Sequence, residues 1–329
     1  MLRLLQCLLS ACLSTLLLVV CTFLLVRFIP GSPFDDPKLS PQVRMMLEAQ
    51  FHLNVPLWQQ LQLYLSQWCT GQWGYSMVST EQAVLPRVME ALQVSLPIGL
   101  GAFVWGLLWG SIGAVWTSSR GVTKATEVQN TFLRKRFSLE NYHALIGFPL
   151  LVLPLFALTG LGVWLLGLQW GWVPVGGWTP FTLQPHTWLQ SLQTMVLPIG
   201  VLSSIVHTPV YWLLREQLHH LMQGRMAMRL QASGLSPERI QWRHCLPLAY
   251  GSVFPLLGPL FASVLTGSFT VESMLGLPGL GKLTLESLLA RDYTLLLGCI
   301  SMIGILFSAS MILFQWVSDL CQPHLQTKR

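Results

Sequence analysis

The sequence predicts an all-α integral membrane protein with about six transmembrane helices, and three observations carry that reading. Of 329 residues, 52% are hydrophobic and only 10% are charged, where soluble chains carry roughly 25% charge. Mean hydropathy is +0.55, and the apolar residues gather into runs long enough to cross a bilayer. Lys and Arg are divided unevenly among the segments between those runs. A soluble enzyme of this size would need more charge to cover its surface.

The elements follow in order. The first apolar run, Leu4 to Val26, exceeds the roughly 7–15 residues of a signal-peptide core, and no small-x-small cleavage site follows. Residues 1–29 therefore read as an uncleaved first transmembrane helix, with its span at 5–28. Residues 30–92 form a polar extracytoplasmic segment. Within it Leu57, Leu61, Leu65 and Trp68 recur at helical spacing, with Gln59, Gln60, Gln62 and Gln67 on the other faces. That pattern predicts an amphipathic helix with Pro56 at its first position, capping the outer mouth. Residues 93–318 hold five further spans, at 93–117, 143–168, 191–213, 250–272 and 294–318, and 319–329 form a cytoplasmic tail. Pro149, Pro154 and Gly160 interrupt the third span, which is tolerated where a helix lines protein or a cavity.

Charge sets the orientation. With the N-terminus cytoplasmic, the inner segments hold Arg3, Arg120, Lys124, Arg134, Lys135, Arg136, Arg215, Arg225, Arg229, Arg239, Arg243, Lys328 and Arg329. The outer segments hold only Lys38, Arg44, Arg87, Lys282 and Arg291, and Arg27 ends the first span. Both termini are then cytoplasmic. The net charge of +6 reads as a topology signal, so no nucleic-acid partner is called for. Tryptophans near span ends (Trp68, Trp73, Trp170, Trp172, Trp178, Trp316) fit interfacial belts.

Chemistry-bearing constellations are sparse. Seven cysteines form no CxxC pair, so neither a disulfide framework nor a zinc site is indicated. His207, Glu216, His219 and His220 make no H-E-x-x-H array, and no G-x-S-x-G elbow is present. Catalytic residues, cofactors and metals are accordingly not expected. GLPGLGKLT (276–284) nearly spells a phosphate-binding loop, but Leu283 stands where a hydroxyl would hold magnesium, and the motif follows a membrane span. A Gly/Pro turn leading into a short surface helix, Leu283–Ala290, is the better account.

One polar stretch stands between two apolar runs: ASGLSPERIQWRHCLP, residues 232–247. Gly234 suits the left-handed position that ends a helix. Ser236 can cap a second helix, Pro237 fits its first position, and Glu238 complements the dipole. The second helix is expected to run from Pro237 until Pro247 disturbs it. Two short helices, too polar for lipid, make a convex knob at the cytoplasmic face.

Here a resemblance becomes specific. ASGLSPERIQWRH is similar to the coupling-loop motif of ABC importer permeases of the oligopeptide/dipeptide/nickel family, with Ala232, Gly234, Leu235, Ser236, Arg243 and His244 at matching places. GSFTVESMLGLPGLGKLTLESLLARDY (267–293) matches through Gly267, Glu272, Pro278, Gly279, Gly281, Arg291, Asp292 and Tyr293. RFIPGSP (27–33), LNVPLWQQ (53–60), GQWGYS (71–76) and GWVP (171–174) follow the family in order, so the resemblance spans nearly the whole chain. Leu230 and Pro247 depart from it, and 123–137 looks like an insertion.

The resemblance implies the type I permease fold of ABC importers in a bacterial inner membrane, with peptide as the default substrate. It implies three kinds of protein partner besides the bilayer: a second homologous permease, two cytoplasmic ATPases and an extracytoplasmic substrate-binding protein. Residues 228–247 would be the ATPase-coupling loop. There Ala232, Leu235 and Ile240 would offer apolar contact, Arg239 and Arg243 polar contact, and Gly234, Ser236 and His244 complete the set. Glu272, Pro278, Gly279, Gly281, Arg291 and Asp292 would form an outer-gate turn, with Glu272 preferred as an acceptor for backbone N–H groups. The competing class, a self-sufficient secondary transporter or channel, would need intramembrane charges or inverted repeats.

Overall fold

The computed structural model describes residues 2–28, 34, 40–124, 152–178 and 185–321. Its helices are α1 (Leu2–Phe28), α2 (Pro41–Gln50), α3 (Leu57–Cys69), α4 (Val84–Lys124), α5 (Leu155–Gly162), α6 (Pro185–Met222), α7 (Arg225–Ala232), α8 (Pro237–Ile240), α9 (Leu246–Leu275), α10 (Leu280–Leu289) and α11 (Tyr293–Cys321). π-helical turns extend α5 through Val163–Gln169 and join α8 to α9 through Gln241–Cys245. No strand occurs among the described residues.

Five helical stretches are long and apolar enough to cross a membrane: Leu8–Phe28, Val84–Ser118, Ser191–Met222, Pro237–Leu275 and Tyr293–Leu320. The expected third span, 143–168, falls partly outside the described residues. Its described part is a shorter apolar helix, Leu155–Gln169. Most of the 123–137 insertion also lies outside the described residues.

Helix α1 shows why lipid is the solvent. Ala11, Thr15, Val19, Phe23 and Val26 form one buried stripe, while Leu9 and Leu25 on the other faces are 72% and 65% exposed. An all-round apolar helix with one buried stripe belongs in hydrocarbon. The stripe is held to α11 by small and polar residues, since burial of apolar surface adds little inside lipid. The Thr15 and Ser308 hydroxyls hydrogen-bond at 2.6 Å, and Ser308 Oγ also donates to the Ala11 carbonyl at 3.3 Å.

The central pair is α4 with α6. Gly106 and Gly110 repeat at four-residue spacing on α4, and their absent side chains let the backbones meet. A Cβ at Gly106 would lie 2.6 Å from the Ser203 carbonyl oxygen, and one at Gly110 2.8 Å from that of His207. The matching order of these contacts makes α4 and α6 parallel. Helix α9 crosses back against α4, where the Tyr250 hydroxyl donates to Ser111 Oγ at 2.6 Å. The main core runs along these three helices, with Ile98, Leu202, Val206, Leu214 and Val253 fully buried.

Two ends result. One carries α7 and α8. The other is capped by α2, α3, the turn at 71–83 and α10. Helix α3 lies over α1 and α11, with Leu61 buried beside Phe23 and Leu297. The amphipathic expectation for α3 needs two corrections. Pro56 precedes the helix as its N-cap. Gln60, expected on a polar face, is 7% exposed, because its Nε2 donates to the Leu53 and Val55 carbonyls at 3.2 and 2.8 Å. Burial pushes the nearby Tyr64 phenol up to about 12, against the opposing pull of its hydrogen bond with Ser301, so it stays neutral at physiological pH.

The glycine contact between α4 and α6 gives a direct test. Gly106→Val should lower thermal stability in detergent by the equivalent of ~1–3 kcal/mol, read as the midpoint of a heated size-exclusion series. Gly200→Ala, where a Cβ meets nothing within 4 Å, should leave the midpoint unchanged or slightly raised.

Candidate functional site

Local rules build the polar knob. Helix α7 ends in a Schellman motif: the Leu235 N–H donates to the Leu230 carbonyl at 3.2 Å and the Gly234 N–H to that of Gln231 at 2.9 Å. Gly234 takes φ +85°, the left-handed conformation expected of it. A Cβ there would meet nothing within 4 Å, so the demand for glycine is conformational, at ~1–2 kcal/mol for other L-residues. Leu230, where the sequence departs from the resembling family, is the helix-end partner of Leu235, and both pack on the main core. Ser236 Oγ then accepts from the Arg239 N–H at 3.4 Å with Pro237 at the start of α8, as the cap reading predicts.

The continuation corrects the expected pair of free-standing helices. Helix α8 does not stop at Pro247; it runs through the π turn into α9, so Pro237–Leu275 is one continuous helical body. Proline lacks an N–H, and its ring crowds the carbonyl four residues back. The wider turn at Gln241–Cys245, closed by Leu246 N–H to Gln241 O, takes up that misfit. The knob is therefore the tip of a span.

Burial sorts its residues. Ala232, Gly234, Ser236, Arg239 and Arg243 are exposed, and Leu235 and His244 are half-buried. Ile240 is the correction: expected as an apolar contact for a partner, it is 0% exposed, packed in the core that includes Leu214, Leu218 and Ala227. It anchors the knob to its own chain. Beside it Gln241, also buried, donates from Nε2 to the Val115 carbonyl on α4 at 2.8 Å. Sequence reasoning passed over Gln241. Its signal was a polar side chain at the head of an apolar stripe, 241-245-249-253, spaced by four. The exposed Trp242 and Met228 were also missed as outward apolar residues of the knob.

At the capped end the structure brings most of the outer-turn residues together. Helix α9 ends at Gly276, and the Leu277 N–H returns to the Glu272 carbonyl at 3.0 Å. The Glu272 carboxylate, fully buried, accepts from the Gly281 N–H at 2.8 Å through Oε2, which is the structural role preferred for it. The amide of the near-phosphate-loop glycine is thus committed to a carboxylate. Gly279 and Gly281 are required by contact. A Cβ at Gly279 would sit 2.3 Å from Glu272 Oε2, and one at Gly281 2.3 Å from Phe269 Cα. Ser95 on α4, unremarked in the sequence, accepts from the Leu280 N–H at 2.7 Å and closes the turn. The short helix begins at Leu280, three residues before the expected Leu283.

Asp292 serves a different junction. Its Oδ1 accepts from the Leu295 N–H at 3.2 Å, capping α11, and from the Met77 N–H at 3.0 Å, while Oδ2 takes the Ser76 hydroxyl. Two motifs far apart in sequence, GQWGYS and ARDY, are one structural unit. Arg291 beside it is exposed with φ +57°, and Pro278 is exposed. His207 is buried beside Tyr211, and His219 pairs with Gln223 at 3.0 Å.

A bundle of helices long and apolar enough to cross a membrane, with a polar tip at one end and a hydrogen-bonded turn at the other, defines a multi-pass membrane protein. Residues 131–327 match the model of the binding-protein-dependent transport system inner membrane component, and the chain belongs to that family. It is similar to the oligopeptide transport system permease protein of Haemophilus influenzae, 31% identical over 326 residues, covering 98% of this chain and 96% of the relative. The corresponding permease protein of Salmonella typhimurium is 31% identical over 293 residues, 88% of each chain. The dipeptide transport system permease protein of Lactococcus lactis is 26% identical over 308 residues, 94% and 92%. The chain is the permease subunit of an ABC importer, a multi-pass inner-membrane component that works with ATPase and binding-protein partners.

Asp292→Ala should free the 71–83 turn, since it leaves Ser76 and Met77 without their buried acceptor at a cost of about 2–4 kcal/mol. Limited proteolysis should then cut between Gly71 and Ala83 many times faster than in the parent chain, with Asp292→Asn intermediate.

Proposed function

We propose that this chain forms half of a peptide translocation path and that residues 228–247 are its docking knob for one ATPase. The single observation that carries the reading is the knob's build. Ile240 and Gln241 fix it to the chain from within, while Ala232, Ser236, Arg239 and Arg243 are turned outward. Leu235 and His244 complete the contact at its edge, and Gly234 holds the turn.

Both termini and the knob face the cytoplasm in this account, and the capped end faces outward. A second homologous permease supplies the other half of the path. Two ATPases hydrolyse ATP, so this chain is no enzyme itself, and an extracytoplasmic binding protein delivers peptide to the end that carries the turn of Glu272, Pro278, Gly279 and Gly281 and the separate junction of Arg291 and Asp292. The boundaries proposed from the sequence serve this scheme: 1–29 as first span, 30–92 as outer segment, 93–318 as core and 319–329 as tail. Peptide is proposed because relatives named for oligopeptide and dipeptide transport cover nearly the whole chain.

The mechanism is a population shift. Closure of the ATPases on ATP moves the knob, and because α8 continues into α9, the span moves with it. Transport follows only if the closed ATPases bind the outward-facing arrangement better than the inward-facing one.

Gly234→Val should reduce both the ATPase copurified in mild detergent and uptake by roughly tenfold or more, since ~1–2 kcal/mol of backbone strain falls on the docking turn. Gly234→Asn, which tolerates the left-handed conformation, should retain most of both. Equal uptake by the valine variant at equal abundance would overturn the docking assignment.

A further inference from the structure

A cavity of about 200 Å³ lies at the capped end between α1, α3 and α11, away from the knob. Phe23, Arg27, Phe51, Gln60, Tyr64 and Tyr293 are among its walls. Two of these groups are chemically incomplete. The Arg27 guanidinium lies over the Phe23 ring, 5.2 Å from its centroid, and among the described residues no carboxylate pairs with it. Gln60 has both amide hydrogens committed to the Leu53 and Val55 carbonyls. That fixes the amide orientation, and its Oε1 is buried with no hydrogen-bond partner among the described residues.

A half-buried cation and a buried lone acceptor are both costly to leave unmet. Their complement is a ligand carrying an anion and, a short distance away, an N–H donor. Position decides which ligand. Arg27 is one residue from the end of the apolar stretch Leu8–Phe28, the level of lipid phosphates. The helix beside it presents Leu25 and Phe28 outward, Phe28 being 80% exposed. In a bilayer that apolar face would lie against acyl chains, and guanidinium is suited to bidentate contact with a phosphate.

We propose that this cavity binds the headgroup of a phosphatidylethanolamine-type lipid, with Arg27 holding the phosphodiester and Gln60 Oε1 accepting from the primary ammonium. The site then discriminates against phosphatidylcholine. That lipid carries the same charges, but its trimethylated nitrogen has no hydrogen to donate to Gln60.

The test is native mass spectrometry of the intact importer, released from detergent after titration with phosphatidylethanolamine, phosphatidylcholine or inorganic phosphate. The wild-type complex should retain one phosphatidylethanolamine per copy of this chain with a preference of roughly tenfold over phosphatidylcholine, the scale of one charge-assisted hydrogen bond. Gln60→Leu should abolish the preference while leaving phosphatidylcholine binding intact, and Arg27→Met should weaken both lipids. Equal retention of the two lipids by the wild-type complex would overturn the proposal without reference to any variant. Displacement of the lipid by millimolar inorganic phosphate would also overturn it, making this a free-anion site, as would undiminished lipid retention by Arg27→Met.

Discussion

The hydrogen bond from Gln241 to the Val115 carbonyl joins the part of this molecule that meets the aqueous phase to the part that lives in lipid. It reaches from a helix tip to the backbone of α4, the helix around which the core is assembled. With Ile240 fully buried beside it, the tip has no freedom to pivot separately. An amide held in an apolar setting is worth more for the geometry it imposes than for its net stability, about 1 kcal/mol, because the alternative is an unmet polar group. The proposed coupling depends on that rigidity: a knob hinged to its span would absorb the movement of a partner instead of passing it on.

The same requirement, that peptide groups away from water keep partners, explains the other irregular places. Pro247 interrupts the backbone pattern, and a π turn absorbs the interruption without breaking the helix. At the opposite end α9 must stop, reverse and restart as α10 within a few residues. Glu272, Ser95 and two closely packed glycines supply the partners and the room. Asp292 does the same where α11 begins. These side chains stiffen the turn at the capped end and tie it to the spans, so both ends of the bundle are firmly connected to the helices that the proposed mechanism moves.

Much of this was legible in the sequence, for physical reasons that differ by element. The spans follow from apolar runs set against bilayer thickness, and the Schellman turn and serine cap follow from local rules acting over a few residues. Gly234, Ser236 and Pro237 obeyed them. What failed was long-range. No local rule says that Ile240 faces inward, or that Gln241 finds a carbonyl 126 residues away. Pro247 was expected to break the second helix because proline usually does, yet the π turn gave the chain another solution. Gln60 was placed on a wet face by periodicity alone, but the carbonyls of the preceding loop drew it inside. The pairing of GQWGYS with Asp292 was invisible until the fold joined them, although both motifs stood out separately.

The central claim is that the knob and α9 are one rigid body. Spin labels at the exposed Glu238 and Leu256, eighteen residues apart, test it in the assembled importer, where helix continuity sets their separation near about 27 Å. Pulsed dipolar spectroscopy should give one narrow distance distribution, the same with and without ATP, while the importer turns over peptide. A broad distribution, or a distance that changes when ATP binds, would place a hinge between knob and span and contradict the account.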